Sequence, residues 1–175
     1  MQFNHDNMTG PLLAADLVTL VGQGWHEGAA AATLAAHEIR RAELDAVAGE
    51  RLRAWAEKIV PVFHATTVDA RCTTINRLLA AGTTIPYLTS HDALRPHLHF
   101  ASETQDVIAR VRAVTAGGLA LFVVESEGAR LGVCRRERCP VAFVDTSRNG
   151  RRAYCSAKCG NYDAVRRHRA PLSRR

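Results

Sequence analysis

Apolar residues recur at intervals of three and four over the first half of the chain, the spacing typical of amphipathic helices. Residues 11–24 predict a short helix that Thr9 caps and that Gly22 and Gly24 end. The Ala-rich stretch 29–64 predicts two more helices with a break at Gly49. One side of this stretch carries the apolar residues Ile39, Leu44, Val47, Leu52, Trp55, Ile59 and Val62.

The pattern changes character after a further helix, which we expect to begin at Thr67 or Asp69 and to end at Gly82. Residues 83–89 and 96–101 then hold two short runs typical of strands, with a polar turn between them. The sequence therefore predicts a small two-stranded sheet within a mostly helical region.

A long helix should follow over residues 102–125, with Ser102 as its N-cap and Asp106 in its first turn. The pair Gly117-Gly118 interrupts its apolar pattern and predicts a weakened or kinked helix.

We place a domain boundary at Glu127-Gly128, so that residues 1–128 form a mainly α (α+β) domain and residues 129–175 a second unit. No run reaches the roughly 18–20 uninterrupted apolar residues of a membrane span. The N-terminus carries no basic segment followed by an apolar run, so no secretory signal is expected. These features predict a cytoplasmic protein without a membrane partner.

Four of the five cysteines, Cys134, Cys139, Cys155 and Cys159, follow the spacing C-x4-C-x15-C-x3-C. Two close pairs about fifteen residues apart suit a tetrahedral Zn²⁺ site. Disulfides are the alternative, but a chain without a secretory signal favours metal thiolates. Because sulfur fills all four positions, we expect one structural zinc ion and no catalytic residues. The remote Cys72 is interpreted as a small buried hydrophobe.

The predicted module is treble-clef-like, with a knuckle, a β-hairpin and a helix that carries the last two ligands. Residues 141–146 and 151–154 are the predicted strands. Asn149-Gly150 between them is typical of a type I′ turn, in which both central residues take positive φ. Ser156 predicts the cap of a helix that runs to about His168. A unit this small should draw on the order of 10 kcal/mol of its folding free energy from the metal.

Positive charge is concentrated in this unit. Residues 134–175 hold 12 Lys and Arg against three acidic residues, whereas residues 1–133 hold 11 against 14. A basic module on a mildly acidic body is typical of nucleic-acid binding, although an anionic lipid or an acidic protein would also suit the charge.

The run Cys159-Gly160-Asn161-Tyr162, together with residues 143–150 and 152–155, resembles the bacterial CGNR-type zinc finger. In that family the finger follows a helical domain known as ABATE, to which residues 16–20 and 94–100 look similar. The resemblance implies a bacterial-type transcription regulator that binds DNA.

Two positions depart from the family pattern. Tyr162 stands where the motif ends in Arg, and Thr19 lacks the Asn that often precedes it in the family. Other basic and polar side chains remain available for phosphates and base edges. The predicted nucleic-acid-binding residues are Arg148, Arg151, Arg152, Lys158, Asn161, Arg166, Arg167 and Arg169.

His97 and His99 alternate on the second predicted strand, so both should face one side of it. They are candidates for binding a ligand such as a small effector, with packing and hydrogen bonding as the plainer interpretation.

The sequence thus predicts a zinc-dependent DNA-binding transcriptional regulator whose helical domain forms a homodimer or senses a small-molecule effector. The alternative is a ligand-binding or catalytic helical domain with a zinc module that is only structural or docks a protein. A regulator that binds another protein and no DNA is a third class.

Overall fold

The computed structural model describes residues 5–39, 43–90, 96–100 and 105–169. The described chain is mostly helical with two small antiparallel sheets, as predicted. The elements are α1 (His5–Gln23), α2 (Glu27–Ala36), α3 (Ala46–His64), α4 (Val68–Gly82), β1 (Tyr87–Thr89), β2 (His97–His99), α5 (Val107–Glu125), β3 (Leu131–Val133), β4 (Ala142–Val144) and α6 (Ala157–Arg169).

Helix α5 is the centre of the core, and it packs against α1, α3 and α4. Its buried Thr115 accepts a 2.9 Å hydrogen bond from the indole Nε1 of Trp55 on α3. The Thr115 hydroxyl in turn donates to the carbonyl of Val111 at 2.7 Å. The one polar atom of the largest core side chain is therefore satisfied inside the apolar interior.

Helix α5 continues without a break through Gly117 and Gly118, where the sequence predicted a weakened or kinked helix. A Cβ on Gly118 would lie 2.7 Å from the Cα of Gly10 on α1, and one on Gly117 would lie 2.3 Å from the Phe100 ring. The two glycines permit close packing against α1 and Phe100, and the contacts offset their low helix propensity.

In the described part of the chain, α5 is also the one helix long and apolar enough to cross a membrane. The residues it buries include Val111, Leu119 and Phe122, each at most 1% exposed. Its apolar composition is therefore that of a core helix.

Several helix limits differ from the predictions. Helix α1 already begins at His5, so Thr9 lies inside it and is not its cap. Gly49 lies inside α3, because the carboxylate of Asp45 accepts a 2.7 Å hydrogen bond from the Ala48 amide and caps the helix earlier. Val47 is 69% exposed and does not join the apolar side.

The other local predictions largely hold. Thr67 caps α4, which ends at Gly82, and β1 pairs with β2. Helix α5 is capped by Asp106, whose carboxylate accepts a 2.7 Å hydrogen bond from the Ala109 amide. Ser102, the predicted cap, and most of the turn between β1 and β2 lie outside the described residues.

The second sheet, β3–β4, is built into the helical core. Leu131, Ala142 and Val144 are buried in the same apolar cluster as the residues of α1, α3 and α5. The hydroxyl of Thr19 on α1 accepts a 3.0 Å hydrogen bond from the Ala142 amide. The segment that carries the cysteines is thus fixed to the body by a shared core and by a polar tie.

Candidate metal centre and basic surface

Four thiols converge at the C-terminal end of the fold. The sulfur atoms of Cys134, Cys139, Cys155 and Cys159 all lie within 4.8 Å of one another. Three of the separations are 3.5, 3.8 and 4.0 Å. Sulfurs about 2.3 Å from a tetrahedral Zn²⁺ would be about 3.8 Å apart. The donor set and its spacing fit one zinc ion, as predicted.

Two loops and a helix start bring the sulfurs together. Cys134 follows β3, and its amide donates to the Val141 carbonyl at 2.8 Å across the knuckle, residues 134–141. Arg138 turns the knuckle with φ of 61°, a conformation that non-glycine residues seldom take. At the helix, the Ser156 hydroxyl accepts a 3.2 Å hydrogen bond from the Cys159 amide. Cys155 and Cys159 are then four residues apart and face the same point.

The thiols need a cation to ionise together. Burial and a hydrogen bond with Cys159 raise the pKa of the Cys155 thiol to about 12. A hydrogen bond with the Ser156 hydroxyl lowers the pKa of Cys159 to about 7. A divalent metal removes this conflict, because thiolates bind it in place of protons. Four sulfur ligands leave no position for water, so the site is structural.

The hairpin of the module is not the predicted one. β4 pairs with β3, and residues 151–154 form no strand. The turn before them has positive φ at Gly150 alone, at 60°, so it is not type I′. The cause is Asp145, whose carboxylate accepts the amides of Ser147 at 2.9 Å and Arg152 at 2.8 Å. These bonds fold the segment into a loop.

Asp145 is buried at 3% exposure. Burial works against its ionisation, but the hydrogen bonds from Ser147 and Arg152 outweigh it and hold the pKa of Asp145 below its usual value. The Arg130 guanidinium donates to the Ser147 carbonyl at 2.6 Å and braces the same loop. The sequence offered one signal for this role, an acidic residue directly after an apolar strand.

A second buried carboxylate fastens α6 to the loop before it. Asp163 accepts a 2.7 Å hydrogen bond from the Tyr154 hydroxyl, which lowers the pKa of Asp163 and raises that of Tyr154. Arg166 and Arg167 pair with the same carboxylate at 3.3 and 3.2 Å. Sequence reasoning missed the bond between Tyr154 and Asp163, because its spacing of nine residues matches no helical or strand repeat, whereas Arg166 and Arg167 lie at the helical spacings of three and four from Asp163.

The basic residues predicted to bind nucleic acid fall into two groups. Arg166 also pairs with Glu137 at 2.8 Å, and Arg152 donates to the carbonyls of Tyr154 and Cys155. Like Arg167, these two have partners within the module. The other basic residues are exposed and make no hydrogen bond or ion pair with any part of the chain that the structure describes. They are Arg148, Arg151, Lys158 and Arg169.

One face of α6 combines charge with exposed apolar surface. Lys158, Asn161, Val165 and Arg169 share this face with Arg166 and Tyr162, along a concavity of about 690 Å³. The Arg136 guanidinium lies over the Tyr162 ring, 5.2 Å from its centroid. Tyr162 stands where the motif has Arg. Its ring accepts a cation–π contact from Arg136, whereas an Arg at this position would repel the Arg136 guanidinium.

The two candidate ligand-binding histidines lie on β2. His99 is half-buried, and its Nδ1 lies 3.2 Å from the Tyr87 hydroxyl. That contact agrees with the packing interpretation for His99. A ligand at His97 and His99 remains a prediction.

Residues 130–171 match the family model of the CGNR zinc finger. All four cysteines lie within the matched segment, so the match and the sulfur geometry agree on a zinc finger here. The resemblance predicted for this segment is therefore confirmed. No curated protein matches the chain. The similarity of the helical region to ABATE stays a prediction.

Proposed function

We propose that the zinc finger binds duplex DNA through its exposed basic residues and that the protein is a zinc-dependent transcriptional regulator. The observation that carries this proposal is the set of unpaired cations, Arg148, Arg151, Lys158 and Arg169. All three acidic residues of the described finger are already engaged: Glu137 by Arg166, Asp163 by two arginines, and Asp145 by main-chain amides. No acidic side chain of the described finger is left to pair with Arg148, Arg151, Lys158 or Arg169.

In this mechanism zinc fixes α6 against the knuckle and so orients the basic side chains. Arg148 and Arg151 contact phosphates from the loop, and Lys158 and Arg169 do so from α6. Asn161 lies between the last two on the same face, where its amide can reach a base edge. Arg152, Arg166 and Arg167 contribute to the positive potential, but their first task is to hold the module together.

The experiment compares two fourfold alanine variants of equal charge. The first removes Arg148, Arg151, Lys158 and Arg169. The second removes four exposed basic residues of the helical body: Arg51, Arg53, Lys58 and Arg77. Affinity for a random-sequence duplex is measured by fluorescence anisotropy from 50 to 200 mM salt, with zinc content and circular dichroism as checks on folding.

We expect the finger variant to lose most of its affinity and its salt slope to fall by about 0.9 for each lost phosphate contact. The body variant should bind like the wild type. Equal affinity of the two variants would reject DNA binding by the finger. That result would favour the alternative, a purely structural or protein-docking zinc module, which the shared core of β3–β4 and the helical body also suits.

The helical body has a further proposed role in dimerisation or in sensing a small effector. Leu88 on β1 and Ile85 just before it are 68% and 88% exposed. Sedimentation of the folded chain across a concentration series would show whether it dimerises.

A further inference from the structure

A cavity of about 560 Å³ lies between the helical body and the zinc knuckle. Its size is within the range of about 300–1,000 Å³ typical of small-molecule sites. The body supplies an apolar wall and the knuckle a basic rim. The residues that matter here are Val18, Val21 and Val60 on the wall, and His64, Arg136 and Arg138 at the polar end.

The walls of this seam cavity are held in place by tight contacts. Gly22 at the end of α1 lets Pro140 of the knuckle approach so closely that a Cβ there would lie 2.6 Å from the Pro140 Cβ. Beside it, Thr19 is bonded to the Ala142 amide of β4. The cavity is thus formed between two fixed elements, as ligand sites at the meeting of structural units commonly are.

The polar end of the cavity carries positive charge without a matching carboxylate. None of its described lining residues is Asp or Glu, although the lining includes Cys134 and Cys139, two of the four sulfur ligands of the zinc centre. The Nε of Arg136 is buried and has no hydrogen-bond partner, which is costly for a guanidinium group. Arg138 has no ion-pair partner in the described chain, and its backbone is held at φ of 61°. An anion in the cavity would supply hydrogen-bond acceptors to both guanidinium groups.

We propose that the seam cavity binds a small organic acid, with its anionic head on Arg136 and Arg138 and its apolar body against Val18, Val21 and Val60. Burial of an aliphatic or aromatic body against the valine side chains is favourable, because apolar surface is removed from water. Guanidinium groups bind a carboxylate by charge-assisted hydrogen bonds. The zinc–thiolate centre, whose Cys134 and Cys139 line the cavity, is itself negative, so charge balance alone could also place arginines here. The test therefore includes an arginine of the knuckle that lies outside the cavity.

The probes are 8-anilinonaphthalene-1-sulfonate, which fluoresces in apolar sites and carries one negative charge, and octanoate as its competitor. They are added to the zinc-loaded full chain without DNA. We expect saturable binding of the dye and its displacement by octanoate, but not by octan-1-ol at the same concentration. Arg138→Gln should weaken binding of both probes about tenfold, since a hydrogen bond to a charged group is worth roughly 1.5–3 kcal/mol.

Two further variants secure the location. Val60→Phe fills the apolar wall and should also weaken dye binding, whereas Arg135→Gln removes an exposed knuckle arginine outside the cavity and should leave it unchanged. Zinc content and circular dichroism verify that each variant is folded. Dye binding that is absent, that Arg138→Gln and Val60→Phe leave intact, or that octan-1-ol displaces as well as octanoate does would overturn the proposal. Because no DNA is present, the result is independent of the proposed DNA binding.

Discussion

The guanidinium of Arg71 on α4 donates a 3.2 Å hydrogen bond to the carbonyl of Leu131, the first residue of β3. The same buried side chain donates to the carbonyls of Val62, Ala65 and Gly128. Desolvation lowers the pKa of Arg71, but an arginine pKa is high enough for the group to remain charged. One side chain thus connects the end of α3, the turn after α5 and the start of the sheet beside the zinc site.

Replacing Arg71 by Met should destabilise the protein by about 3 kcal/mol or more. The apolar side chain would leave four carbonyls without their donor, and several of them are buried. Urea unfolding of the zinc-loaded chain measures the loss. The control is Arg77→Met on the exposed side of the same helix, which should cost less than about 0.5 kcal/mol. Similar losses of unfolding free energy in the two variants would show that the hydrogen bonds of Arg71 contribute little to stability.

Alanine substitutions at two helical glycines should have opposite signs. Gly118→Ala places a Cβ 2.7 Å from the Gly10 backbone, where α1 and α5 cross, and should destabilise by about 1–3 kcal/mol. Gly49→Ala meets only the flexible Glu27 side chain at 3.4 Å and should stabilise by roughly 0.5–1 kcal/mol through helix propensity. Thermal unfolding of both variants checks the pair, and a stabilised Gly118→Ala protein would contradict the close crossing.

These glycines show which features of the fold could not be predicted from the sequence. A cap such as Thr67 or Ser156 is a local feature, because its hydroxyl bonds an amide three residues away, and both were predictable. The cysteine quartet was predictable because the metal imposes its spacing. Whether Gly118 breaks a helix or admits a neighbour depends on α1, more than 100 residues earlier in the chain. No sequence pattern within α5 predicts this packing.

The strand pairing of the zinc finger was mispredicted for a similar reason. The dipeptide Asn149-Gly150 indicated a hairpin to residues 151–154. The Asp145 carboxylate instead accepts the amide of Arg152, which lies in that predicted strand, and the amide of Ser147, which lies before the turn. β4 instead pairs with β3, whose Leu131 is buried in the core of the helical body. Long-range burial and a buried carboxylate therefore outweighed a local turn preference.

Acid should weaken the start of α5 through Asp106. Its pKa is lowered chiefly by the hydrogen bond from the Ala109 amide, with a further contribution from Arg51. Since the folded-state pKa lies below the unfolded value of about 3.9, the stabilisation is complete above that pH and is lost as the pH falls through the folded-state pKa. Asp106→Asn keeps a capping oxygen without this titration.

The stability difference between wild type and Asp106→Asn should therefore be constant from pH 7 to pH 5 and should move in favour of the variant towards pH 3. Urea midpoints of both proteins at each pH provide the comparison, and loss of zinc in acid affects both chains alike. A difference that does not change with pH would refute the coupling of this carboxylate to folding.

Zinc should be bound at one ion per chain and should be required for the fold of the finger. Cys159→Ser removes one of the four sulfurs, and a structural site supplies on the order of 10 kcal/mol of folding free energy to a unit of this size. The variant should bind zinc at least tenfold more weakly in competition with a chromogenic chelator, and α6 should lose its amide protection in hydrogen exchange. Cys72→Ser is the matched control, because Cys72 lies outside the cluster and that variant should retain one zinc.

Because Leu131 and Val144 belong to the core of the helical body, removal of zinc from the wild type should also lower the melting temperature of the body. An unchanged melting temperature would show that β3–β4 holds its place without the metal.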